Sequence, residues 1–180
     1  MRDVVLGVMR FYEAFGLAPA LSLDADELKK RFYERSRQWH PDRFSRASAA
    51  EQEKALEMTA LLNDAFRTLR DPVARAEYFL KENGIELSKE APPELLEEVF
   101  ELNMALEELR GGDESARPQL IEARAKFIAM RDAIDGELAE AGARYDASKA
   151  ASVLDAIRAM LNRRRYIRNL IKEVENVLPN

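Results

Sequence analysis

The stretch that decides the fold is Leu28-Lys29-Lys30-Arg31-Phe32-Tyr33-Glu34-Arg35-Ser36-Arg37-Gln38-Trp39-His40-Pro41-Asp42-Arg43-Phe44. Leu28, Phe32 and Trp39 recur at i, i+4 and i+11, which places them on one face of a helix. Lys30 and Arg37 lie on the opposite face, with Lys29 and Tyr33 flanking it. Asp24, followed three residues later by Glu27, resembles a capping box and marks the helix start. Pro41 pushes His40 out of helical geometry, so the helix stops there. His40-Pro41-Asp42 is thus a rigid polar tripeptide on a loop between helices, a position suited to binding.

Working outward, Val4–Phe15 reads as a short first helix ended by Gly16. Glu51–Arg70 restarts the helical period after the tripeptide. Its core row is either Leu56, Ala60, Asn63 and Phe66 or Leu62, Phe66 and Leu69. Asp71-Pro72 ends that helix, and Arg75–Glu82 forms another, closed by Asn83-Gly84. Ile85–Pro93 reads as a linker whose last proline suits a first helical turn. Three long patterns follow, roughly Glu94–Arg110, Arg117–Ala141 and Ala147–Val177, separated by Gly111-Gly112-Asp113 and Gly142-Ala143-Arg144. Short connections predict antiparallel neighbours and a three-helix bundle. The expected architecture is all-α, with an N-terminal helical domain over 1–84, a linker over 85–93 and the bundle over 94–180.

Composition removes many functions. The 180 residues contain no cysteine and one histidine. Disulfides, thiolate metal sites, thiol nucleophiles and multi-histidine metal sites are therefore excluded within this chain. The net charge of -5 argues against general affinity for nucleic acid, although Arg163-Arg164-Arg165 keeps an RNA-binding reading open. No apolar run is long enough to cross a membrane. Met1–Met9, with Asp3, is too short and too acidic for an export signal. A cytoplasmic location in a bacterium-like cell is the expectation. His40 beside Asp42 is capable of acid-base chemistry, but no serine or threonine is marked out as a nucleophile and no phosphate-binding glycine loop occurs. The expectation is a protein that is not an enzyme and carries no cofactor or metal. A fixed proline backbone lowers the entropic cost of binding, and the basic helix face would steer an acidic partner.

The first bundle helix carries more apolar surface than one seam requires. Leu95, Val99, Leu102, Leu106 and Leu109 follow heptad spacing and form the seam. Leu96, Phe100 and Met104 make a second row, turned about a third to a half of a circle away. That row is either the wide flank of the core or a docking site rimmed by Glu97, Glu101 and Glu108. On the last helix, Val153, Ile157, Met160, Ile167, Ile171, Val174 and Leu178 trace the core face. Tyr166 points away from it, towards a place beside the second row.

Helix, basic-aromatic helix, His-Pro-Asp loop and long third helix resemble a J-domain. Phe15-Gly16-Leu17, Trp39-His40-Pro41-Asp42-Arg43-Phe44, Leu62-Asn63-Asp64-Ala65-Phe66-Arg67-Thr68-Leu69-Arg70-Asp71-Pro72 and Arg75-Ala76-Glu77-Tyr78 narrow the resemblance to HscB-type co-chaperones of iron-sulfur cluster assembly. That resemblance implies an L-shaped molecule that stimulates a DnaK/HscA-type chaperone ATPase and delivers the scaffold IscU to it. It implies a chaperone-binding site at Lys29, Tyr33, Arg37, His40, Pro41, Asp42 and Arg43. It implies client binding at Leu96, Phe100, Glu101, Met104, Glu108 and Tyr166. Met104 stands where family members often carry an acid, Asn103 where they carry an arginine, and Tyr166 where they carry a phenylalanine. A J-domain co-chaperone for a different client and a structural helical adaptor are the alternatives.

Overall fold

A computed structural model describes residues 9–88 and 90–178. Among these residues every regular element is helical: α1 (Arg10–Ala14), α2 (Ala25–Gln38), α3 (Ala49–Arg70), α4 (Pro72–Glu82), α5 (Leu96–Arg110), α6 (Arg117–Ser148) and α7 (Ala151–Val177). Three single 3-10 turns, Pro41–Phe44, Pro93–Leu95 and Glu114–Ala116, lead into or between them. The start predicted for the first helix at Val4 lies outside the described residues.

The chain divides into two compact units. The first comprises Met1–Glu86 together with Gly142–Lys149, and the second Leu87–Ala141 together with Ala150–Asn180. In the first unit Tyr12, Phe15, Leu28, Leu62, Leu69, Phe79 and Leu80 are fully buried. Each large apolar side chain so buried contributes roughly 1.5–3 kcal/mol. Phe32 of α2 stacks on Phe66 of α3, with ring centroids 4.3 Å apart, and Phe15 meets Phe32 edge-on. These contacts zip α2 to α3 as a hairpin. Of the two candidate rows on α3, Leu62, Phe66 and Leu69 face this core, whereas Leu56 is 60% exposed and Ala60 and Asn63 are exposed too.

The loop between α1 and α2 is held by polar groups. The Tyr12 hydroxyl donates to the Ala20 carbonyl at 2.7 Å. The buried Arg75 guanidinium donates to the Leu21 carbonyl at 2.9 Å and to the Leu69 carbonyl at 2.6 Å. Asp146 accepts from the amides of Leu21 and Ser22 at 3.1 and 2.6 Å. Burial raises the Tyr12 hydroxyl pKa above its ordinary value and lowers that of Arg75. A buried cation is tolerated here because carbonyls satisfy its donors and a carboxylate lies near.

The helix break predicted at Gly142-Ala143-Arg144 does not occur. α6 runs unbroken to Ser148. Gly142 is instead a packing glycine, because a Cβ there would stand 3.2 Å from Leu21 Cβ. The chain turns at Lys149, which takes a left-handed φ of 51°, followed by extended Ala150. The end of α6, Gly142–Lys149, belongs with the first unit.

In the second unit Leu95, Leu102, Leu106 and Leu109 pack with Leu120, Phe127 and Ile134 of α6 and with Ile167, Leu170, Ile171 and Val174 of α7. Arg164 of α7 forms a two-pronged pair with Asp135 of α6. Arg165 of the same triplet donates to the Ser88 carbonyl. Two of the three consecutive arginines are thus engaged in structural pairs rather than presented as an open basic patch.

Candidate docking surfaces

The first surface is built on α2 and the loop after it. The Asp24 carboxylate caps α2 by accepting from the Glu27 amide at 2.9 Å. Arg31 is spent on structure: it pairs with Glu27 and donates to the carbonyls of Phe15 and Gly16. Lys29, Lys30, Tyr33 and Arg37 remain exposed. The helix ends at Gln38, and His40 takes an extended conformation (φ -61°, ψ 127°), as a residue before proline should.

Several bonds hold the loop rigid. The Thr59 hydroxyl of α3 donates to the Trp39 carbonyl at 3.1 Å. The Trp39 ring stacks on Phe44 at 5.8 Å, and the Lys54 ammonium lies over Trp39. Arg43 donates to the Arg37 carbonyl and the Ser45 hydroxyl to the Asp42 carbonyl. Within the tripeptide the Asp42 amide donates to His40 Nδ1 at 3.3 Å. The same Nδ1 lies 3.5 Å from the Asp42 carboxylate. Both side chains are nonetheless open to solvent, His40 at 58% and Asp42 at 90%.

Tyr33, Arg37, His40 and Arg43 line one open depression together with Ser36. Lys29 precedes Tyr33 by one turn on the exposed side of α2, and Pro41 and Asp42 stand beside the depression without lining it. Ser36 was not among the expected residues. Its signal was spacing alone, three residues after Tyr33 and four before His40.

The second surface lies on α5. Leu96 is 56%, Phe100 65% and Met104 48% exposed, while Leu95, Leu102, Leu106 and Leu109 of the seam are buried and Val99 is partly so. Glu101 and Glu108 are exposed beside the row. Tyr166 departs from expectation: it is half-buried against the core cluster of the second unit. It lines a small depression with Ser88, Glu90, Asn162, Arg165 and Asn169, and no residue of the α5 row takes part. The reason is the linker: the Ser88 amide donates to Asn162 at 2.7 Å and Arg165 binds the Ser88 carbonyl, so residues before α5 lie against this part of α7.

Among the described residues no group of three or more histidine, aspartate or glutamate side chains is placed to hold a metal ion. No helix among them is long and apolar enough to cross a membrane.

The sequence matches the family model described as DnaJ domain over residues 10–78 and that described as HSCB C-terminal oligomerisation domain over residues 91–175. The solved structure of chaperone HscB from Vibrio cholerae is 32% identical, with a TM-score of 0.62, over 93% of this chain and 96% of that one. The chain belongs to the HscB family. The crystal structure of human co-chaperone protein HscB is 25% identical with a TM-score of 0.66, covering 92% of this chain and 80% of that chain. A co-chaperone protein HscB homolog from Vibrio vulnificus is 39% identical over 111 residues, which span 59% of this chain and 65% of that relative's length. The tripeptide and its basic helix fall inside the J-domain match, and the exposed α5 row falls inside the match to the HscB C-terminal domain.

Proposed function

We propose that this HscB family member is a non-enzymatic co-chaperone of iron-sulfur cluster assembly in the bacterial cytoplasm. It stimulates ATP hydrolysis by a DnaK/HscA-type chaperone and delivers an IscU-type scaffold to it. The observation that carries this reading is the braced His40-Pro41-Asp42 loop, with His40 sharing one depression with Tyr33, Arg37 and Arg43. Two cations, a phenol and an imidazole in one rigid place suit an acidic partner surface. The chain contributes no catalytic group to ATP hydrolysis. It biases the partner chaperone between conformational states by binding one of them more tightly. Chaperone docking involves Lys29, Tyr33, Arg37, His40, Pro41, Asp42 and Arg43. Leu96, Phe100 and Met104 form the apolar centre of the scaffold surface, with Glu101 and Glu108 at its edge. Tyr166, half-buried on α7, completes the proposed scaffold surface.

The deciding experiment is a single-turnover ATPase assay with a purified HscA-type chaperone. Asp42→Asn abolishes stimulation and leaves the melting temperature unchanged, because the carboxylate is 90% exposed and its neighbour at 3.5 Å, His40, is exposed too. Stimulation at the level of the parent chain overturns the proposed mechanism.

A further inference from the structure

A groove of about 400 Å³ runs between α5 and α6. Leu102 and Ala105 of α5 and Phe127 of α6, all buried, form its floor. Glu98, Glu101 and Glu122 form its rim. Lys126 pairs with Glu98 at 3.4 Å. Glu101 and Glu122 are exposed and no cation among the described residues bridges either of them. The groove thus combines an apolar floor with surplus negative charge at its mouth.

We infer that this groove receives a lysine or arginine side chain of the protein docked on α5. The inference rests on the reading that α5 carries a scaffold. Long basic side chains lay an apolar stem along hydrophobic surface while the charged head stays near water or a carboxylate. A neutral apolar side chain would fill the floor and leave the rim unanswered. A short anionic ligand would be repelled by the rim. A cation on a long stem meets both demands, its stem over Leu102, Ala105 and Phe127 and its head between Glu101 and Glu122. Continuity selects a protein occupant. Glu101 stands three residues before Met104 of the row, a neighbouring position on the helix surface, and also lines the groove, so a partner covering the apolar row reaches the groove. The consequence is specificity: the row supplies apolar area that many proteins can cover, and the groove selects among them those with a basic residue at the right distance.

The test uses the intact chain and a purified IscU-type scaffold, with association measured by calorimetry at about 0.05 M and about 0.5 M salt. Glu122→Lys weakens association about five- to tenfold at low salt, and the difference shrinks at high salt. Glu122→Gln acts in the same direction with a smaller effect. Both variants keep the parent melting temperature, since Glu122 is exposed on α6. The double variant Leu96→Ala, Phe100→Ala weakens association at both salt concentrations. Parent-like binding by Glu122→Lys at low salt, with loss in the row variant, overturns the groove inference and leaves α5 docking standing. Parent-like binding by the row variant, or no association of the parent chain at all, overturns α5 docking and the groove with it.

Discussion

The tripeptide loop and the α5 row hold their side chains towards solvent by opposite means. At the loop the presented groups are polar and the backbone is irregular, so rigidity comes from specific bonds: Thr59 to Trp39, Arg43 to Arg37, and Trp39 stacked on Phe44. On α5 the presented groups are apolar and the backbone is a helix, so rigidity comes from the buried seam behind it. The loop is recognisable from residue identity, because few roles call for histidine, proline and aspartate in that order. The row is recognisable only from excess, because leucine, phenylalanine and methionine have an ordinary use in the core. The difference explains why partner chemistry is easier to infer at the loop than at the row.

Comparing two leucines on α5 is the strongest test of that contrast. Leu102 is buried in the seam, and Leu96, six residues earlier, is 56% exposed. Leu102→Ala destabilises the second unit by about 2–5 kcal/mol, through lost burial and the cavity left behind. Leu96→Ala changes stability by less than about 1 kcal/mol. Urea unfolding of the two variants measures both values. Equal losses would show that the row is the flank of the core, and its role as a docking surface would fall.

The second comparison sets Gly142 against Lys149, the glycine where a turn was expected and the lysine where the turn occurs. Alanine in place of a helical glycine ordinarily gains about 1 kcal/mol. At Gly142 the new Cβ would press on Leu21 at 3.2 Å, and Leu21 has little freedom to retreat. Its amide is held by Asp146 and its carbonyl by Arg75. Gly142→Leu therefore destabilises the first unit by about 1–3 kcal/mol through overpacking. Thermal unfolding followed at Trp39, the one tryptophan of the chain, measures it. A variant as stable as the parent would show that the Leu21 loop yields, and that the polar bonds around it are weak.

Periodicity exposed most of the fold: the hairpin of α2 and α3, the seam of α5 and the core face of α7 all follow from spacing. The end of α6 was hidden because glycine has two uses, chain reversal and close approach, and local sequence does not distinguish them. The true turn at Lys149 carries no glycine, asparagine or proline to announce it. The same limit applies to Tyr166. Its position on the helical wheel points away from the core, but the linker at Ser88 lies over that side of α7, and no period within α7 encodes a contact with a distant segment. Among the residues proposed for chaperone docking, Tyr33, Arg37, His40 and Arg43 converge because one helix face runs into one turn, which spacing already implied.

The smallest expected effect concerns acid. The α5 row has no titratable group, but each unit has an exposed titrating cap close to its candidate surface. In the first unit, Ser48 and Glu51 form a reciprocal capping box at the start of α3, directly after the tripeptide loop. Glu51 accepts from the Ser48 hydroxyl at 2.7 Å and from its amide at 2.9 Å, and these bonds hold its pKa below the ordinary glutamate value. In the second unit Asp113, just after α5, accepts from the hydroxyl and amide of Ser115, and its pKa is lowered too. A carboxyl with a lower pKa when folded binds fewer protons than its unfolded counterpart. Its stabilising contribution is therefore complete above the ordinary carboxylate value and is lost as pH falls through the folded value. Amide hydrogen exchange across the start of α3 should accelerate, relative to the rest of the helix, as pH is lowered into that range. Glu51→Gln removes this pH dependence at α3 and leaves the α5–α6 turn unaffected, and Asp113→Asn does the reverse. Local exchange with the same acid response in parent and Glu51→Gln would mean that the cap does not govern the start of α3. The loop would then be held only by its bonds to Thr59, Arg37 and Phe44.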